Sequence, residues 1–199
     1  MQKVGIMGGT FNPIHNGHIR LAKCAYETLK LDKVFFMPSG NSYLKKNVLD
    51  AKHRVAMTQA AIVDCPNFEL SLVEVEREGN TYTYDTLQRM TAKHPDTDYY
   101  FILGADSLLY IDKWKEPEII FALCTLVCAV RDDSDMNVLR NKGEELAKLG
   151  AKIVYLNMDK VDISSTAIRE GVRLGSDISD MVPCKVLDYI NQEHLYEED

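Results

Sequence analysis

Short apolar segments alternate with longer amphipathic segments along the whole chain. The apolar segments have the length of β-strands and lie at residues 4–7, 33–38, 68–76, 99–103, 124–130 and 152–156. Segments with apolar residues at helical spacing lie between and after them, at residues 19–29, 51–65, 81–94, 136–149, 164–173 and 183–194. This alternation is typical of an α/β fold with a doubly wound, mostly parallel sheet. Ligands of such folds bind at the carboxyl ends of the strands, so functional residues are expected there.

The composition favours one globular domain over residues 1–199, with a helical C-terminal portion from about residue 164. The net charge of −7 argues against nonspecific binding to nucleic acid, which depends on an excess of Lys and Arg. No apolar run reaches the roughly 20 residues of a membrane-spanning helix, and the first strand follows Met1 almost directly. The sequence therefore predicts a cytoplasmic protein with neither a nucleic-acid nor a membrane partner.

The five cysteines indicate neither disulfides nor a metal site. Their number is odd, and no two of them form a Cys-x-x-Cys pair. Cys124 and Cys128 lie four residues apart in an apolar segment, which places them on one face of a strand. We expect reduced, packed cysteines and no protein-bound metal.

The segment between the first strand and the first helix has the features of a phosphate-binding turn. Gly8 and Gly9 permit tight turning and a close approach of the backbone to a ligand. His15 and His18 lie near the start of the following helix, where free N–H groups and the helix dipole favour an anion. The segment lacks the Gly-Lys-Ser/Thr of a P-loop and the Gly-x-Gly-x-x-Gly of a dinucleotide-binding turn.

A second candidate phosphate site follows the sixth predicted strand. Ser164 or Ser165 can cap the helix that begins there, and Arg169 lies about one turn further on, where its guanidinium can form bidentate bonds to phosphate. By itself this pattern also fits a well-capped surface helix.

Together the two segments resemble the nucleotidyltransferase superfamily. The first is similar to its motif Gly-Gly-Thr-Phe-Asp-Pro-x-His-x-Gly-His, with Asn12 in place of the Asp, and the second matches Ile-Ser-Ser-Thr-x-x-Arg without a gap. The resemblance implies a Rossmann-like nucleotidyltransferase fold in which His15, His18 and Arg169 are catalytic. It further implies an ATP site that these three share with Gly8, Gly9, Thr10, Phe11, Gly104, Asp106, Arg131, Ser165 and Thr166.

Two further segments resemble the bacterial nicotinate mononucleotide adenylyltransferases. One is the segment around Thr83, similar to Ser-Tyr-Thr-x-Asp-Thr, and the other runs from Gly104-Ala-Asp106 to Trp114. The resemblance implies that Trp114 stacks on the nicotinate ring, while Thr83 and the backbone near Lys115 hold its carboxylate. An electron-poor pyridinium over an indole face is also reasonable chemistry by itself. A phosphate contact is expected from Lys45, although Lys46 could replace it.

The expected reaction is adenylyl transfer from ATP to nicotinate mononucleotide, giving nicotinate adenine dinucleotide and pyrophosphate. The resemblance implies Mg²⁺ as MgATP. Three alternatives stay open at this point: transfer to nicotinamide mononucleotide, transfer to phosphopantetheine, and a nucleotide sensor without turnover. Whether the chain forms a homo-oligomer is also open.

Overall fold

A computed structural model describes residues 1–40, 48–130, 133–159 and 161–197. Six strands form one parallel sheet: β1 (Gln2–Gly9), β2 (Lys33–Pro38), β3 (Phe68–Leu70), β4 (Thr97–Leu103), β5 (Cys124–Val130) and β6 (Lys152–Asn157). Their order is β3-β2-β1-β4-β5-β6. The chain therefore builds the sheet outward from β1 in one direction and then in the other, which confirms the predicted doubly wound α/β class.

The helices of the described residues cover both faces of the sheet. Their bounds are α1 (Asn16–Leu29), α2 (Ala51–Ile62), α3 (Thr83–Lys93), α4 (Ala105–Tyr110), α5 (Pro117–Leu123), α6 (Asp133–Lys148), α7 (Ser165–Arg173) and α8 (Cys184–Gln192), with a 3₁₀ turn at Ile111–Lys113. Buried side chains of α1, α2, α7 and α8 pack on one face, and those of α3, α4, α5 and α6 pack on the other. Successive side chains of a strand point to opposite faces of the sheet, so Ile6 and Met7 pack in different clusters.

The strand order reverses at β1, which lies between β2 and β4. A crevice opens at such a point because the connections on the two sides of the strand leave in opposite directions. The turn after β1 and the start of α1 lie at this crevice, so the fold places the predicted phosphate-binding segment where ligands of doubly wound sheets bind.

The third strand is much shorter than the sequence predicts. An alternating pattern over residues 68–76 indicates a strand, but only Phe68–Leu70 pair with β2. Beyond Ser71 the chain turns on itself, since Glu76 N donates to the carbonyl of Leu72 and Arg77 N to that of Glu74. The strand lies at the sheet edge, where one neighbour limits its pairing, so alternation alone overestimated its length.

The expectation of packed cysteines is confirmed for Cys124 and Cys128 but is wrong for Cys184, which is exposed at the start of α8. All five are free thiols, and Cys124 and Cys128 are buried in the same apolar cluster. Burial raises the pKa of the Cys124 thiol to about 12, so it is a neutral core group. Within the described ranges, no three side chains of His, Cys, Asp or Glu come together as metal ligands, and no helix there is long and apolar enough to cross a membrane.

Candidate active site

A cleft of about 950 Å³ lies at the carboxyl ends of β1 and β4. It is lined by the turn after β1 and by residues at the starts of α1, α3, α4 and α7. It brings together the predicted site residues that the structure describes: Gly8, Gly9, Thr10, Phe11, His15, His18, Thr83, Gly104, Asp106, Trp114, Lys115, Ser165, Thr166 and Arg169. Lys45, Lys46 and Arg131 lie outside the described residues.

The two histidines stack at the amino end of α1. His15 is the residue before the helix, and its ring lies 3.7 Å from that of His18, centroid to centroid, with 28° between the planes. The backbone N–H of His15 donates to Nδ1 of His18 over 3.2 Å. Because Nδ1 of His18 accepts this bond, the proton of the neutral His18 ring is on Nε2. The local fold thus selects the tautomer of His18 in which Nε2 carries the proton.

His15 is held uncharged by its surroundings. The residue is 8% exposed, and burial lowers its pKa from 6.5 to about 4. Its Nδ1 is buried, with no hydrogen-bond partner among the described residues. Near neutral pH the ring is therefore neutral, and any contact that it makes with a ligand is a hydrogen bond and not an ion pair. A neutral donor whose geometry is fixed suits a site where charge develops only in the transition state.

The glycine pair at the end of β1 does not form the turn that was predicted there, and Gly9 has a packing role. Gly8 and Gly9 are the last residues of the strand, and the backbone first takes a left-handed conformation at Phe11, with φ of 51°. A Cβ on Gly9 would lie 2.7 Å from the Phe11 ring. That ring is buried and packs edge-on against His18 at 5.1 Å. Glycine is thus needed for close packing of a ring that supports the histidine pair, and not for the turn itself.

The second motif is hydrogen-bonded directly to the first. Ser164 caps α7 by accepting from the N–H of Ala167 over 3.1 Å. The hydroxyl of Ser165 donates to the carbonyl of Pro13 over 2.8 Å, and Arg169 Nη1 donates to the carbonyl of Asn12, also over 2.8 Å. A serine hydroxyl has only one proton, so Ser165 can offer a phosphate only its backbone N–H. The guanidinium of Arg169 keeps further donors for a ligand.

The other end of the cleft is aromatic. Trp114 is half-buried and meets Phe101 edge to face, with 6.2 Å between ring centroids. Thr83 is the first residue of α3, and Lys115 Nζ lies 4.4 Å from the centroid of the Tyr82 ring. The partial exposure of Trp114 leaves indole surface in a cleft that also presents a threonine at a helix start.

Asp106 is the second residue of α4, the helix that begins directly after Gly104. The carboxylate is exposed and lines the cleft next to the end of β4. Asp106 thus places an acceptor for hydroxyl groups in the cleft at the end of β4, the strand that pairs with β1.

Arg54 supports the site and carries no signal in the sequence. It is 4% exposed, and its guanidinium donates to the carbonyls of Thr10, Ser39 and Leu49. These bonds tie the turns after β1 and β2 to α2. Arg54 does not stand out in the sequence, because one basic residue in an amphipathic helix usually lies in solvent.

Comparison with known proteins shows the family of the chain. The family model described as cytidylyltransferase-like matches residues 6–171. A protein of Lachnoclostridium phytofermentans is 44% identical over 199 residues, covering 98% of this chain and all of the relative, and one of Clostridium novyi is 41% identical with the same coverage. Both are named "Probable nicotinate-nucleotide adenylyltransferase".

A solved structure of Plasmodium falciparum nicotinic acid mononucleotide adenylyltransferase, complexed with NaAD, superposes on the chain with a TM-score of 0.78. The two are 24% identical, and the match covers 100% of this chain and 99% of the other, which shows a shared fold. The fold and the two joined phosphate motifs thus define a cytidylyltransferase-like nucleotidyltransferase. Within that class, the chain belongs to the nicotinate-nucleotide adenylyltransferase family.

Proposed function

We propose that the chain transfers the adenylyl group of ATP to nicotinate mononucleotide. A phosphate oxygen of the mononucleotide attacks the α-phosphorus of ATP, the bond from that phosphorus to the β-phosphate oxygen breaks, and pyrophosphate leaves. The observation that carries this proposal is the bonding of Arg169 and Ser165 to the Asn12–Pro13 carbonyls. These bonds form a single phosphate site from both motifs, at one end of a cleft whose other end holds the chain's only tryptophan.

The attacking phosphate is already an anion, so the reaction needs no general base. Catalysis then depends on alignment of the two substrates and on stabilisation of charge on the phosphoryl and leaving oxygens. In this proposal, neutral His15 and the Nε2–H of His18 donate hydrogen bonds, and Arg169 supplies a fixed positive charge. The donors are in place before the reaction starts, so little reorganisation is needed as charge develops.

Magnesium is proposed as part of the ATP substrate. Mg²⁺ retains several waters and binds nucleotide phosphates with few protein ligands, so a dedicated cage is not required. Asp106, exposed at the start of α4, is assigned to the nucleoside part of ATP rather than to the metal. Arg131 is assigned to the ATP phosphates.

The aromatic end of the cleft is assigned to nicotinate mononucleotide. The indole of Trp114 stacks on the positively charged pyridinium ring, an interaction that contributes roughly 0.5–2 kcal/mol. The hydroxyl of Thr83 and the backbone N–H of Lys115 hold the carboxylate of the ring. Lys45 or Lys46 contacts the phosphate of the mononucleotide. Donors placed for a carboxylate favour the acid over the amide, because the amide brings N–H groups of its own.

Steady-state kinetics with ATP and three acceptors tests this assignment. Pyrophosphate release is measured with nicotinate mononucleotide, nicotinamide mononucleotide and phosphopantetheine, and the products are identified by mass. We expect kcat/KM to be highest for nicotinate mononucleotide. Comparable values for the amide would remove the argument from Thr83 and Lys115, and turnover of phosphopantetheine alone would contradict the acceptor. Binding of ATP without pyrophosphate release from any acceptor would indicate a sensor.

A further inference from the structure

The end of the chain contacts the turn that carries the first phosphate motif. Tyr196 Oη donates to Asn12 Oδ1 over 2.9 Å, although the two residues are 184 positions apart. The backbone is left-handed at His194 and at Tyr196, with φ of 49° and 68°, while Leu195 between them is buried. Non-glycine residues rarely adopt this conformation, so packing of Leu195 and the bond to Asn12 hold the segment in place.

Asn12 connects this tyrosine to the phosphate site. Its side chain accepts from Tyr196, and its backbone carbonyl accepts from Arg169 Nη1. The residue is 8% exposed, so its amide oxygen depends on protein donors rather than on solvent. A shift of Asn12 would therefore move the carbonyl that orients the Arg169 guanidinium.

The same part of the chain also holds the far end of the turn. The backbone N–H of Asn16 donates to the carbonyl of Met181, and its side-chain amide donates to that of Asp180, both over 2.9 Å. Residues after α7 therefore restrain the motif at Asn12 and at Asn16, on both sides of His15. The C-terminal segment is arranged as a support for the phosphate site and not as a loose end.

We propose that Tyr196 is a positioning residue for adenylyl transfer, which acts by holding Asn12 so that the Asn12 carbonyl orients Arg169. This inference rests on the proposed function. Burial raises the pKa of the Tyr196 hydroxyl, an effect that the nearby charges of Arg169 and Arg54 oppose. The hydroxyl therefore remains protonated and can donate throughout the working pH range.

Tyr196→Phe removes only the hydroxyl and leaves the ring in place. Asn12 Oδ1 then loses its donor in a buried position, and the turn can relax away from Arg169. We expect kcat to fall about tenfold, which corresponds to about 1.4 kcal/mol of activation free energy. The KM for nicotinate mononucleotide should be nearly unchanged, because Trp114 and Thr83 lie at the other end of the cleft.

A double-mutant cycle separates positioning from general destabilisation. The variants are Tyr196→Phe, Asn12→Ala and the two combined, each first checked for folding by thermal denaturation. If Tyr196 acts through Asn12, the second substitution costs little kcat once the first is present. The matched control is Tyr189→Phe, since that hydroxyl lies 3.0 Å from Nδ1 of His53, a residue of α2 and not of the turn. Its kcat should stay within about twofold of the wild type.

Two outcomes would overturn the inference: an unchanged kcat for Tyr196→Phe, or effects of the two substitutions that multiply. Asn12→Asp gives a second test if Asn12→Ala does not fold. A carboxylate accepts a stronger hydrogen bond from the tyrosine, so Tyr196→Phe should cost more than tenfold in that background, and an equal or smaller cost would count against the proposal.

Different experimental results would contradict the proposed function and this inference. If the wild type makes no dinucleotide, the proposed function is wrong, and positioning is then measured through the Kd for ATP. Tyr196→Phe should weaken ATP binding about threefold, and this weakening should disappear in the Asn12→Ala background. An unchanged Kd would refute the inference in that case.

Discussion

His15→Asn tests whether burial holds the first histidine uncharged. The pKa of His15 is about 4 in the folded chain, against 6.5 for an ordinary histidine. The unfolded chain therefore binds more protons at this position between these two pH values, so the free energy of unfolding falls as the pH falls from 6.5 towards 4. The wild type should show this loss, and a variant without an ionisable group at position 15 should not.

The magnitude follows from the same two values. Proton binding to the unfolded chain is nearly absent at about pH 7, whereas at about pH 5 it favours unfolding by about 2 kcal/mol. Below pH 4 the loss reaches its limit of about 3 kcal/mol. The stacked ring of His18 remains in both proteins, so a difference between them reports on position 15.

Urea unfolding at several pH values between about 5 and 7 measures the effect. The stability difference between wild type and His15→Asn should change by about 2 kcal/mol across this range, in favour of the variant at the acidic end. His94→Asn is the control, because His94 is exposed at the end of α3 and its variant should follow the wild type. A difference for His15→Asn that stays constant with pH would refute the reasoning.

Three further substitutions test the site. Arg169→Lys should lower kcat about 100-fold, because an ammonium cannot hold both the Asn12 carbonyl and phosphate, while Arg173→Lys on the exposed side of α7 should leave kcat unchanged; equal effects would contradict the assignment. Trp114→Ala should raise the KM for nicotinate mononucleotide about tenfold and Trp114→Phe less, and an unchanged KM for both would exclude stacking. Gly9→Ala should lower the free energy of unfolding by about 1–3 kcal/mol, because its Cβ meets the buried Phe11 ring; a Tm equal to that of the wild type would contradict this.

The sequence predicts much of the fold because local patterns determine it. Strands β2 and β5 have the predicted bounds, and α2 begins at the predicted residue, where the carboxylate of Asp50 caps it by accepting from the N–H of Lys52. In these segments, the apolar run or the cap is complete within a few residues. The predicted length of β3 was wrong because the length of an edge strand depends on how many residues pair with its one neighbour. Only Val34–Phe36 of β2 pair with β3.

The sequence indicated residues that line the cleft, but it did not indicate the contacts that support them. His18, Arg169 and Trp114 belong to motifs whose residue types and spacing indicate their chemistry. The hydrogen bond between Tyr196 and Asn12, by contrast, joins residues near the two ends of the chain, and no local sequence pattern predicts it. The environment of Arg54 is equally invisible in the sequence, since its three carbonyl partners come together only after folding.

The most direct test of adenylyl transfer follows the α-phosphorus of ATP. The chain is incubated with nicotinate mononucleotide and ATP labelled at the α-phosphorus, and in a parallel reaction with ATP labelled at the γ-phosphorus. Attack at the α-phosphorus predicts that the first label appears in the dinucleotide and the second in pyrophosphate, in equal amounts. Label from the α-position in free AMP, or from the γ-position in a nucleotide product, would contradict the proposed reaction.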